Sequence, residues 1–222
     1  VARDWLAWHQ PYDEDGSSLQ QRLAAVQRHL RAILDERPPG PIRVISLCAG
    51  QGRDLLGVLA EHPRRSEVSA RLVELDPRNV VLARQAVTAL DLPGIEVVEG
   101  DAALTDAYAG AVPADVVLAC GVFGNVTDDD IERTVAHLPS LCATAATVVW
   151  TRYPRDAELL PQIDRWFREA GFEQRALEVG ADGRRFGVGV HRLAAPPLPF
   201  EPGRRLFTFL DDPDPAGTRS PR

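Results

Sequence analysis

The chain has 222 residues, 45% of them hydrophobic, which is enough for one sizeable core and too few for two independent catalytic domains. A formal net charge of −7 argues against a polyanion partner, and no run approaches the roughly 18 apolar residues of a membrane span. All of the basic residues are arginine, and the absence of lysine removes Schiff-base and pyridoxal-phosphate chemistry and the lysine-dependent phosphate loop. The three cysteines, Cys48, Cys120 and Cys142, lie in or beside apolar runs without metal-type spacing, so they read as buried free thiols and no metal site is expected. The first ten residues lack the apolar centre of a signal peptide, which sets the expectation of a cytoplasmic protein with a small-molecule partner.

An aromatic segment comes first, with Trp5, Leu6, Trp8, His9 and Tyr12, and it is expected either to pack as a staple or to close as a lid over a ligand. Apolar residues at Leu19, Leu23, Val26, Leu30 and Ile33 then recur at helical spacing, predicting an amphipathic helix over 18–34 that Pro38, Pro39 and Pro41 stop. From there strands and helices alternate: strands over 43–49, 70–75, 95–99, 114–120 and 145–151, helices over 53–61, 77–90, 128–138 and 158–170. That alternation predicts an α/β fold with a mostly parallel sheet covered on both faces. The last two strands, 172–180 and 186–192, flank Asp182-Gly183, a hairpin signal that reverses the final strand. The tail from 194 is proline-rich with one strand-like island at 206–210 and an end expected to be disordered. The expected division is a single domain: an N-terminal part over 1–40, a core over 41–193 and a tail over 194–222.

Ligands of open α/β sheets bind at the carboxyl ends of the strands, so the residues after each strand carry the functional argument. After the first strand stand Cys48, Ala49, Gly50, Gln51 and Gly52, where the two glycines allow a tight turn and a close backbone approach. A nicotinamide fingerprint would place a third glycine where Leu55 stands, so a less phosphate-centred nucleoside fits better. Glu74 and Leu75 end the second strand, and the carboxylate can accept from both hydroxyls of a ribose, while Asp76 before Pro77 suits the cap of the next helix. Asp101 and Ala102 follow the third strand, where a carboxylate and a backbone N–H can read adenine.

These three strand tips, in residues 44–52, 72–79 and 97–102, resemble in order and spacing the class I S-adenosylmethionine (SAM)-dependent methyltransferases. The resemblance spans about residues 41–193 and implies a Rossmann-like seven-stranded sheet of order 3-2-1-4-5-7-6 with strand 7 antiparallel. It implies SAM as cofactor, with Gly50 and Gly52 beside its methionine part, Glu74 on the ribose and Asp101 on the adenine amine. Two positions depart from the pattern, Ser46 and Cys48 standing where the family usually has an acid and a first glycine. Cys120 and Gly121 end the fourth strand; the segment lacks the Asn/Asp-Pro-Pro-aromatic motif of amide and adenine N-methyltransferases, and Cys120 reads as a cavity wall rather than a nucleophile.

The resemblance leaves the methyl acceptor open, with a small molecule favoured. Methyl transfer needs a base only when the acceptor carries a proton, and the candidate is His9, with Tyr12, in the first segment; after strand five Arg152 and Tyr153 are expected to face the opening, where an arginine could orient an anionic acceptor. Arg22 reads first as a surface ion pair and second as a partner for the cofactor carboxylate, and His62, His137 and His191 as structural or surface residues. Three alternatives stand beside this reading: a catalytically silent cofactor-binding subunit of the same fold, a nicotinamide-dependent oxidoreductase, and an enzyme that uses the same cofactor for cyclisation or rearrangement.

Overall fold

The computed structural model describes residues 4–8, 10–153, 159–180 and 186–210. Seven strands, β1 (Ile42–Leu47), β2 (Val68–Glu74), β3 (Ile95–Glu99), β4 (Ala114–Ala119), β5 (Cys142–Arg152), β6 (Phe172–Val179) and β7 (Gly187–Leu193), form one sheet of order β3-β2-β1-β4-β5-β7-β6. The first five are parallel, and β7 runs antiparallel between β5 and β6. The sheet is therefore the seven-stranded one expected. The hairpin turn at Asp182-Gly183 lies outside the described residues, although the two strands it joins pair antiparallel.

The helices are α1 (Trp5–Trp8), α2 (Ser18–Glu36), α3 (Arg53–Leu59), α4 (Pro77–Ala89), α5 (Asp128–His137) and α6 (Leu159–Glu169). Their starts follow local chemistry. The hydroxyl of Ser17 accepts from the Gln20 N–H to cap α2, Asp76 accepts from the Arg78 N–H ahead of Pro77 in α4, and Thr127 accepts from the Asp130 N–H in α5. The helices cover both faces of the sheet, because strands that read as continuous apolar runs must be buried on both sides. One face packs Leu30, Leu34, Leu55 and Leu59 against β1 and its neighbours, and the other packs Phe123, Trp150 and Phe167.

The second face holds a polar insertion. His191 of β7 is fully buried, stacks on Phe167 at 4.1 Å between ring centroids, accepts from the Trp150 indole N–H at Nδ1 over 3.1 Å, and meets Asp164 of α6 at Nε2 over 3.2 Å. Since Nδ1 must accept, the proton sits on Nε2 and the ring is neutral, and burial holds its pKa below the ordinary value. Gly189 lies across from Trp150 in the β5–β7 pair and leaves room for that ring: a Cβ there would come within 2.2 Å of the indole.

The tail departs from expectation. Residues 206–210 do not form a strand; they run as a strap over the strand tips, with Leu206 and Phe207 fully buried and one isolated bridge between Leu104 and Arg205. The strap is held piecewise, Leu206 N–H by the Ala103 carbonyl, Thr208 N–H by the Asp130 carboxylate and Leu210 N–H by the Asn125 carbonyl. A ladder is absent because its partners are loop carbonyls and side chains.

Candidate functional site

At the carboxyl ends of β1 to β4 a cavity of about 960 Å³, the open space at its mouth included, lies beside the first segment and the strap. The glycine loop forms its floor. Cys48, Gly50 and Gly52 all take positive φ, at 51°, 55° and 71°, so the cysteine keeps a backbone conformation that favours glycine. A Cβ on Gly52 would also come within 2.9 Å of Leu56.

The Glu74 carboxylate is drawn against this loop. One oxygen accepts from the Gly50 N–H and the other from the Asp76 N–H, each at 2.8 Å, and the residue is 7% exposed. Burial raises its pKa, and the two backbone donors offset part of that rise. A carboxylate oxygen has two acceptor sites, and Glu74 lines the cavity. Beside it, Asp101 accepts from the Ala103 N–H at 2.9 Å through one oxygen and forms an ion pair with Arg205 of the strap at 3.1 Å through the other. Leu75 is exposed at the mouth between the two acids, and Ala102 is buried below.

The far end of the cavity carries opposite charges. Arg22 of α2 is buried and donates to the Tyr12 hydroxyl at 2.5 Å. Asp54 of α3 lines the same wall as the thiol of Cys120 at the end of β4, and burial raises the pKa of the acid. That thiol is itself pushed well up by burial and by the carboxylate, so it is a wall and not a nucleophile at neutral pH. Gly121 beside it is fixed by its N–H to the Thr151 hydroxyl at 2.8 Å.

Aromatic and aliphatic groups cover the remainder. Trp5 meets Phe209 of the strap at 5.3 Å between ring centroids, and Leu23 and Val26 of α2 close the side. Tyr12 lies between two guanidinium groups, Arg22 at 5.8 Å and Arg53 at 5.7 Å from its ring centre. Ion pairs tie the first segment to two helices that flank the cavity: Asp13 takes Arg53 through both oxygens at 2.6 and 3.0 Å, and Asp4 takes Arg78 at 2.8 Å.

The cavity thus gathers Cys48, Ala49, Glu74, Leu75, Asp101, Ala102, Cys120 and Gly121 of the expected set, with Tyr12; Gly50 and Gly52 do not line it and contribute the positive-φ turns of the loop that does. Other expectations need correcting. Arg152 and Tyr153 do not line the cavity: Arg152 is buried and donates to the Phe123 carbonyl at 2.5 Å, and Tyr153 is half exposed elsewhere. Arg22 is not at the surface, because α2 turns it inward toward Tyr12. His9 lies outside the described residues, and no histidine is among the described residues that line the cavity. Asp54, Arg53, Gln51 and Phe209 were missed; the Gly-Arg-Asp run at 52–54 was the one available signal for two of them, since a charge pair at the start of an otherwise apolar helix needs a partner.

No protein-family model matches the sequence. No curated protein matches it either. Solved structures do resemble the fold. An O-methyltransferase family protein from Burkholderia thailandensis superposes with a TM-score of 0.66 at 16% identity, over 86% of this chain and 60% of that one. The carbon methyltransferase CurJ gives 0.63 at 17% identity, over 86% and 59%, so this chain spans about 60% of the length of both. The magnesium protoporphyrin IX methyltransferase ChlM from Synechocystis PCC 6803, with bound SAM, gives 0.62 at 12% identity, over 83% and 88%. With the strand order and the reversed seventh strand, the chain has the Rossmann-like fold of the class I SAM-dependent methyltransferases.

Proposed function

We propose that the protein transfers a methyl group from SAM to a small, largely apolar acceptor. The observation that carries this reading is the sorting of charge along one cavity: two acids at the tips of β2 and β3, and an arginine with a buried carboxyl near the tips of β1 and β4. SAM presents matching groups in the same order: an adenine amine, ribose hydroxyls, and a zwitterionic amino acid. Three carboxyls and two guanidinium groups line the cavity, a balance that suits a ligand with one net positive charge.

In this reading Glu74 holds the ribose hydroxyls, Asp101 accepts from the adenine amine and Leu75 lies along the base. Arg22 takes the carboxylate of the amino acid and Asp54 its ammonium. The bound cofactor would supply a sulfonium-activated methyl group for in-line displacement. The chain's own contribution is orientation and exclusion of water. Trp5, Phe209, Leu23 and Val26 supply the apolar surface against which an acceptor can lie, and the first segment and the strap close over it as a two-part lid. Cytoplasmic residence and the lack of a nucleic-acid partner remain part of the reading; the net charge of −7 supports the second. Among the described residues no helix is long and apolar enough to cross a membrane.

Titration calorimetry with SAM and S-adenosylhomocysteine, with reduced nicotinamide cofactor as control, tests the proposal. Binding of the two adenosyl ligands alone is expected. Glu74→Ala and Asp101→Ala should each weaken it by about 1–3 kcal/mol, the cost of losing charged hydrogen bonds; unchanged affinity in both would overturn the site.

A further inference from the structure

We propose that Arg205, on the C-terminal strap, is a specificity-determining residue for the cofactor's base: it fixes the carboxylate of Asp101 in the orientation that accepts an exocyclic amine. This rests on the cofactor reading above and extends it to a segment outside the sheet. The Asp101 side chain is 37% exposed at the cavity mouth and that of Arg205 49%, and a short carboxylate there turns freely unless both oxygens are held. The Ala103 N–H holds one from its own turn; the other is held by the guanidinium of Arg205, 3.1 Å away and more than a hundred residues later in the chain.

The strap is built to keep Arg205 there. Its backbone makes the isolated bridge with Leu104, and the residues on either side are anchored, Arg204 by its carbonyl to the Thr105 N–H and Leu206 by its N–H to the Ala103 carbonyl. Arg204 points instead to Glu201, and Leu206 and Phe207 are fully buried. The guanidinium thus reaches the acid from a rigid backbone. Each carboxylate oxygen has two acceptor sites, so Asp101 can take the amine of adenine without releasing Arg205. A base with a carbonyl in place of the exocyclic amine sets an acceptor against the fixed carboxylate at that position and turns the adjacent ring nitrogen from acceptor to donor, so it is rejected.

The test is a titration of wild type, Arg205→Ala, Arg205→Lys and Arg204→Ala with S-adenosylhomocysteine and S-inosylhomocysteine, which carry the same charges. Wild type should strongly prefer the adenosyl ligand. Arg205→Ala should lose about tenfold toward it and little toward the inosyl ligand, Arg205→Lys should recover most of the loss, and Arg204→Ala should behave as wild type. Equal weakening of both ligands by Arg205→Ala would assign the residue to packing of the strap. Tighter adenosyl binding would mean that the guanidinium competes with the amine, and unchanged binding that it is idle; each of these overturns the proposal. Wild type binding neither ligand would instead overturn the cofactor reading, and this inference with it.

Discussion

Arg22 and Asp54 sit on separate helices, α2 and α3, and reach the cavity wall from positions that share no local motif. Their proposed partners are the two ends of an amino acid, so their effect should depend on that part of the ligand. Arg22→Ala and Asp54→Asn are expected to weaken S-adenosylhomocysteine by about 1–3 kcal/mol each, and to leave 5′-methylthioadenosine, which lacks the amino acid, unchanged. Calorimetry on the two ligands checks this, and equal loss on both would reassign the pair to holding the fold. His191 supplies a second residue-scale prediction. Its folded pKa lies below the unfolded value of 6.5, so the unfolded chain takes up the proton first and stability is lost as pH falls from there through the folded pKa. Denaturant unfolding between about pH 7.5 and about pH 5.5 should show that fall, and His191→Phe, which keeps the stack on Phe167, should flatten it.

At the scale of elements, the β5–β7 pair depends on one absent side chain. Gly189→Ala would drive a methyl into the Trp150 ring in a fully packed layer, and a loss of about 1–3 kcal/mol is expected, read as a lower melting temperature with cofactor-binding stoichiometry retained. The first segment presents the opposite case, an element held by exposed ion pairs. Asp4–Arg78 and Asp13–Arg53 face solvent, so salt screens them while leaving the Trp5–Phe209 contact intact. If the segment is a lid, release of S-adenosylhomocysteine in stopped flow should quicken severalfold between about 0.05 M and about 0.5 M salt. An Asp4→Asn/Asp13→Asn variant should release fast at every salt concentration. Release that ignores both salt and the double substitution would reduce the segment to packing.

For the whole molecule, the cavity is complete only when the sheet tips, the first segment and the strap are assembled together. A ligand that needs all three stabilises the native state by mass action, by about 2.7 kcal/mol at a hundred times its Kd. For a chain of this length that corresponds to a rise of roughly 5–10 °C in melting temperature. Thermal scans with and without S-adenosylhomocysteine check this, and a shift absent at saturation would contradict binding to the folded cavity.

Much of this was legible in the chain itself. Apolar runs of strand length alternating with helical spacing specify which residues pair and which cover, and order the β-α units of residues 42–152. Gly50, Gly52, Glu74 and Asp101 could be found because each stands directly after a strand, where sequence position and place in the fold coincide. Arg22 was legible only as a second reading and Asp54 only as half of the charge pair at 53–54, while Phe209 and Arg205 were not legible, since they reach the cavity wall and Asp101 through long-range packing that no local pattern encodes. Arg152 shows the converse: its place at the end of β5 pointed to the cavity, yet its side chain turns to the Phe123 carbonyl. The sequence by itself determined the sheet and the acids at its tips, because strand and helix periodicity and turn chemistry are local. Only the tertiary structure decided the amino-acid end, the apolar cover and the partner of Asp101, because those depend on where two chain ends and two helix faces meet.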